Sequence, residues 1–108
     1  MAIYELRTYD IHPGKMANIN ARFRDHTMGL FRKHGIDVVG FWERQTGDAG
    51  QLIYVCKFDN EEQMKMRWDR FRADPDWVAA KTKSEENGLL VKQVNSVVMT
   101  PTDYSPVQ

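Results

Sequence analysis

Residues 4 to 9 read YELRTY, and alternate positions carry Glu5, Arg7 and Tyr9. On an extended strand those three side chains share one face at intervals of roughly 7 Å. An acid, a guanidinium and a phenol in a row allow two kinds of chemistry. Arg7 can grip a ligand carboxylate through parallel N–H bonds, with Tyr9 or the more distant Tyr54 adding a hydroxyl donor. Alternatively, Glu5 neutralises Arg7 in a structural ion pair, as burial of the row would require. The sequence leaves both readings open.

Other chemistries are poorly served. The histidines are His12, His26 and His34, with no H-x-x-x-H or C-x-x-C spacing. His26 and His34 would sit about 80° apart around a helix, too far to chelate as neighbours. No metal site and no cofactor are therefore expected. HPGK, residues 12 to 15, has one glycine and fits neither a P-loop nor a dinucleotide fingerprint. Ser84, Ser96 and Ser105 lack a nucleophile-elbow context. Cys56 is the only cysteine and lies in apolar LIYVCKF, which suits an inert buried thiol and a reducing, cytoplasmic setting. Met64, Met66, Trp68 and Phe71 could line a pocket, but a stripe at helical spacing usually belongs to a core.

Fifteen basic and fifteen acidic residues cancel, so no global field favours nucleic acid or an anionic membrane. The uncharged stretch from Val94 to Thr102 is too short to span a bilayer, and charges in MAIYELRTYD argue against an export signal. The length suits one domain with a single modest core, expected over residues 1–100, followed by an irregular tail, PTDYSPVQ, at 101–108.

The elements that must position these residues follow from periodicity. AIYELRTYDI alternates as a strand and stops at His12-Pro13-Gly14. From Lys15 to His34, Met16, Ile19, Phe23, Thr27, Leu30 and Phe31 form a helical stripe. Arg22, Asp25, Arg32 and Lys33 fall largely outside it, and Gly35 suits the C-terminal cap. Residues 36 to 46 and 51 to 58 form a hairpin around TGDAG, with a loop of about four residues. Asn60 and Gln63 match a capping box, and Met64, Trp68 and Phe71 give the next helix its apolar stripe. Asp74-Pro75 restarts the helix, placing Trp77 on its inner turn and carrying it to Glu86. Residues 89 to 100 make the last strand.

The order is β-α-β-β-α-β, an α+β, ferredoxin-like arrangement: a four-stranded antiparallel sheet with its helices on one face. A bare second face should alternate with polar residues, but it does not. Leu52, Tyr54, Cys56 and Phe58 oppose Ile53 and Val55; Val39 and Phe41 oppose Val38 and Trp42; Val94 and Val98 oppose Val97 and Met99. Two apolar faces with helices for only one predict a homodimer closing sheet against sheet. In that arrangement the Glu5-Arg7-Tyr9 row is expected on the face away from the helices, inside the dimer.

YELRTYDIHPGK, RKHGIDVVGFWERQTG and ADPDW, in that order, resemble the NIPSNAP family over roughly residues 3 to 100. The resemblance implies a dimeric α/β barrel built from this protomer. It carries over family positions to Glu5, Arg7, Tyr9, Pro13, Gly14, Gly40, Trp42, Asp74, Pro75 and Trp77, with Gly14 and Gly40 read as sites of close backbone approach. Members often place a histidine mid-way along the third strand; this chain has Tyr54, so histidine chemistry is not carried over. Related dimeric α/β-barrel monooxygenases use a cavity between sheet and helices, a link at the level of fold.

The leading expectation is a homodimer with an interior cavity that binds a small organic ligand near Glu5, Arg7, Tyr9, Trp42 and Tyr54. The alternatives are a monooxygenase or isomerase holding its substrate against His26, Trp68 or Trp77, and an interaction module with no ligand.

Overall fold

A computed structural model describes residues 2–46 and 49–108. Four strands, β1 (Ile3–Ile11), β2 (Asp37–Thr46), β3 (Ala49–Phe58) and β4 (Val91–Met99), form one antiparallel sheet in the order β2-β3-β1-β4. The chain enters β1 in the interior of the sheet, so the YELRTY row is flanked on both sides. Arg7 lies opposite Tyr54 on β3 and Ser96 on β4. β2 runs to Thr46 and β3 begins at Ala49, inside the expected TGDAG turn, whose residues 47 and 48 lie outside the described ones.

One face carries the helices. The first helical region has three parts: α1 (Met16–Arg22), a π-turn (Phe23–Thr27) and α2 (Met28–Lys33). The π-turn widens the helix by one residue, and the Thr27 hydroxyl donates back to the Arg22 carbonyl at 3.3 Å. The extra residue turns Arg22 inward. It is buried beside Ile19 and Phe23, not outside the stripe as a strict 3.6-residue period predicts. Past His34, Gly35 donates to Arg32 and Ile36 to Phe31, which closes the C-terminal carbonyls as the glycine predicted.

Asn60 caps α3 (Glu61–Ala73): its side chain accepts from the Gln63 N–H at 2.8 Å. Gln63 reaches back to the Asp59 N–H, one residue before the usual partner in the box. Asp74 caps α4 (Pro75–Ser84), accepting from the Asp76 N–H at 2.8 Å, and α4 ends two residues short of Glu86. The other oxygen of Asp74 takes Lys33 Nζ at 2.8 Å and His34 Nε2 at 2.7 Å. One nearly covered carboxylate thus ties the end of α2 to the α3–α4 junction.

The core lies between sheet and helices, with Leu52, Tyr54, Cys56 and Phe58 of β3 under Ile19, Phe23, Phe31, Trp68 and Phe71. Burial, and then the nearby Glu5 charge, push the Cys56 thiol up to about 12, which leaves it inert at neutral pH. A bulge between Val38 and Gly40 corrects the expected alternation of β2. Val38 and Phe41 both pack on the helix-side core, while Val39 is exposed. Trp42 points to the open face and folds its indole over Gly40, where a Cβ would lie 2.9 Å from the ring. Gly40 is thus a site of close approach, as expected. Gly14 is not: the space around it is open and its φ of +76° is what demands glycine.

Leu6, Ile53, Val55 and Val97 lie on the sheet face away from the helices. The tail, residues 101–108, carries no helix or strand, yet it folds back so that Tyr4 donates to the Gln108 carbonyl at 2.6 Å and is buried at the edge of this face.

Lys33 and His34 hold the Asp74 carboxyl well below the usual carboxylate range, followed by its bond from the Asp76 N–H. A depressed folded-state pKa contributes stability above the unfolded value, and that contribution fades as pH falls through the folded one. Asp74→Asn keeps a helix cap but loses the charge. Thermal melts should place it a few degrees below wild type at neutral pH, with the gap closing in strong acid. Equal melting temperatures at neutral pH would mean that the cap alone matters.

Candidate functional site

Glu5, Arg7 and Tyr9 point toward the helices, not into the open sheet face. This overturns the expectation that the row lies between two sheets. The physical reason is the company it keeps: β3 turns Tyr54 and Cys56 inward at the same register positions, and α3 lowers Trp68 onto the row. All three side chains are buried within one protomer.

Glu5 is the hub. Its Oε1 accepts from the Trp68 indole N–H at 2.6 Å; its Oε2 accepts from the Ser96 hydroxyl at 2.5 Å and from Arg7 NH1 at 3.1 Å. Arg7 Nε donates to the Tyr54 hydroxyl at 2.8 Å, and its NH2 lies 3.5 Å from the Tyr9 hydroxyl. The two phenols share a 2.8 Å hydrogen bond. The guanidinium stacks 4.4 Å from the centre of the Trp68 ring. Burial works against the Arg7 charge, but Tyr54, Tyr9 and Glu5 outweigh it and hold its pKa above the ordinary range. Burial, and then Tyr9, push the Tyr54 phenol well up, so it remains a neutral hydroxyl.

A cavity of about 340 Å³ opens beside this network, between α3 and α4 on one side and β1 and the start of β4 on the other. It exists because β4 is an edge strand that the helices only partly cover: Val94 on its helix side stays 44% exposed. Arg7, Tyr9 and Trp68 line the inner part, with Trp77 and Phe71 stacked 4.6 Å apart on the helical wall. Five basic side chains, Arg7, Arg22, Arg72, Lys81 and Lys92, face one acid, Glu85.

Of the residues singled out in the sequence, Glu5, Arg7, Tyr9, Tyr54 and Trp68 come together in the network, and Trp77 joins them at the cavity. Trp42 does not: it lies on the opposite face of the sheet and is 54% exposed. His26 is exposed on the outer side of the helices, in a surface groove with Ser84 and Lys83. Two participants escaped sequence reading. Ser96 stands out in the sequence only as a serine without a nucleophile elbow, whereas its register opposite Arg7 lets its hydroxyl donate to Glu5. Regular helical spacing puts Arg22 outside the apolar stripe, and the π-turn that begins at Phe23 brings it indoors. Among the described residues, no group of three or more His, Cys, Asp or Glu could hold a metal ion. Nor is any helix long and apolar enough to cross a membrane.

The NIPSNAP family profile matches residues 4–106. No curated protein matches the chain. Among solved structures, a NIPSNAP family protein from Agrobacterium tumefaciens superposes with a TM-score of 0.87 at 21% identity, covering 100% of each chain. An uncharacterized NIPSNAP-like domain protein from Burkholderia xenovorans gives 0.84 at 20% identity, over 97% of this chain and 89% of that one. A Streptomyces coelicolor monooxygenase in complex with nanaomycin D gives 0.61 at 14% identity, over 94% and 88%. These structural likenesses establish a shared fold. The profile match, which runs from the YELRTY strand through the cavity wall to the tail, establishes descent: the chain belongs to the NIPSNAP family.

Proposed function

We propose that this NIPSNAP protein is a small-molecule-binding homodimer of a cytoplasmic compartment, with one ligand site per protomer in the cavity beside Arg7, Tyr9, Trp68 and Trp77. The observation that carries the reading is the cavity itself: about 340 Å³, walled by aromatic rings, and lined by five basic side chains against one acidic. That volume and mixture suit a small organic ligand. The Glu5-Arg7 pair then serves as a rigid wall, since the Arg7 charge is already met by Glu5 and two phenols.

Binding fits this site better than catalysis of the monooxygenase or isomerase type. A general base must be free to take a proton. Glu5 is held by three donors and Tyr54 stays neutral, while His26 lies outside the cavity. A ligandless interaction module would have no use for a hollow walled by aromatic rings.

The dimer reading rests on the open sheet face, where Leu6, Ile53, Val55 and Val97 sit together and Val97 is 53% exposed. Covering about 800 Å² of such a surface per protomer is enough for a stable pair. A single buried free thiol fits a reducing compartment.

Native mass spectrometry of protein purified from its source cell tests the function, with a retained small molecule as the expected result. A clean apo protein that also leaves small-molecule libraries unbound would overturn it. Sedimentation should show a dimer for the wild type and a folded monomer for Val97→Asp, whereas a stable wild-type monomer would sink the dimer. Arg7→Met should cost about 3 kcal/mol or more in chemical denaturation, because the Glu5 charge stays buried without its partner. Glu5→Leu combined with Arg7→Met should recover part of that loss.

A further inference from the structure

The cavity holds a second buried arginine that the Glu5 network does not use. Arg22 is 6% exposed and reaches the cavity from the end of α1, where the π-turn directs it inward. Its charge is poorly met. NH1 donates to the Ser84 hydroxyl at 3.2 Å, and Glu85 stands off at 3.7 Å. Its Nε is the one buried side-chain polar atom without a hydrogen-bond partner among the described residues. An unmet buried donor of this kind is costly, and such groups call for an explanation. The guanidinium also lies 5.2 Å from the centre of the Trp77 ring, on the aromatic wall of the same cavity.

We propose that the cavity takes a planar aromatic carboxylate, with its ring against Trp68 and Trp77 and its carboxylate on Arg22. This deepens the small-molecule reading above and rests on it. Arg7 cannot be the anchor, because its Nε and NH1 are already committed to Tyr54 and Glu5. Arg22 keeps its Nε edge, the side of the fork that pairs with a carboxylate in a bidentate way. Nε is closed to solvent as well, so binding has to turn the Nε and NH2 edge of the guanidinium toward the cavity, while NH1 keeps Ser84 and Glu85 on the other side. Lys81 and Lys92 in the cavity lining add positive potential that favours an anion's approach. Burial, opposed chiefly by Tyr9 and then Glu85, lowers the Arg22 pKa, in keeping with a cation that lacks a full counter-charge.

The test uses the full chain and two probes of one shape, 2-naphthoate and neutral 2-naphthylmethanol, followed by quenching of tryptophan fluorescence and by calorimetry. The naphthoate should bind roughly tenfold or more tightly than the alcohol, and Arg22→Gln should erase that difference. Glu85→Gln, at a partly exposed position, should tighten naphthoate binding and leave the alcohol unchanged. It also keeps the proposal testable if Arg22→Gln fails to fold. Equal binding of the two probes, or weaker naphthoate binding in Glu85→Gln, would overturn the role of Arg22 while leaving the cavity as a ligand site. No binding of either probe would overturn the aromatic-carboxylate proposal, and the wider small-molecule reading would then stand or fall on the native mass spectrum.

Discussion

The Glu5 carboxylate, buried on an interior strand, joins three elements that are distant in sequence. It receives Trp68 from α3, Ser96 from β4 and Arg7 from its own strand. A buried carboxylate tolerates desolvation only when its lone pairs are filled, so each donor has to arrive at its place. That requirement sets the position of α3 over the sheet and the register of β4 beside β1. Once Trp68 is seated, Arg7 stacks beneath it and the phenols of Tyr9 and Tyr54 close the far end. The aromatic core continues outward from there through Phe31, Phe71 and Trp77.

The cavity follows from the same constraint. The helices are anchored over β1 and β3, which leaves the helix side of β4 partly bare beyond Ser96. What faces that gap is a wall of aromatic rings edged with cations. The two buried arginines there are unlike each other. Arg7 is neutralised by a preformed set of acceptors and acts as structure. Arg22 arrives on a π-turn with an incomplete set, a local irregularity of the kind that often accompanies function.

Much of the architecture was legible along the chain. The strand alternation, the Asn60 and Asp74 caps, the glycine after α2 and the order of elements all follow from local rules that operate within a few residues. The composition of the polar row was equally plain, as was the mutual reach of Glu5 and Arg7. The four-stranded antiparallel sheet with its helices on one face came from the same pattern, because few topologies suit β-α-β-β-α-β.

The direction of the row was not legible. Alternation says that Glu5, Arg7 and Tyr9 share a face and is silent on which face, since both faces of the sheet are apolar. Only tertiary packing decided it: Trp68 offers an indole N–H that needs an acceptor, and the helix side supplies Glu5. The bulge at Val39 likewise breaks the period of β2, placing Val38 and Phe41 on one side and Trp42 on the other. The π-turn does the same to the helix and brings Arg22 indoors. Local patterning along the chain specified the strands and helices, their order, and that Glu5, Arg7 and Tyr9 share a face. Tertiary structure decided which face is buried and where one residue is inserted, because each depends on hydrogen-bond and packing partners far away along the chain.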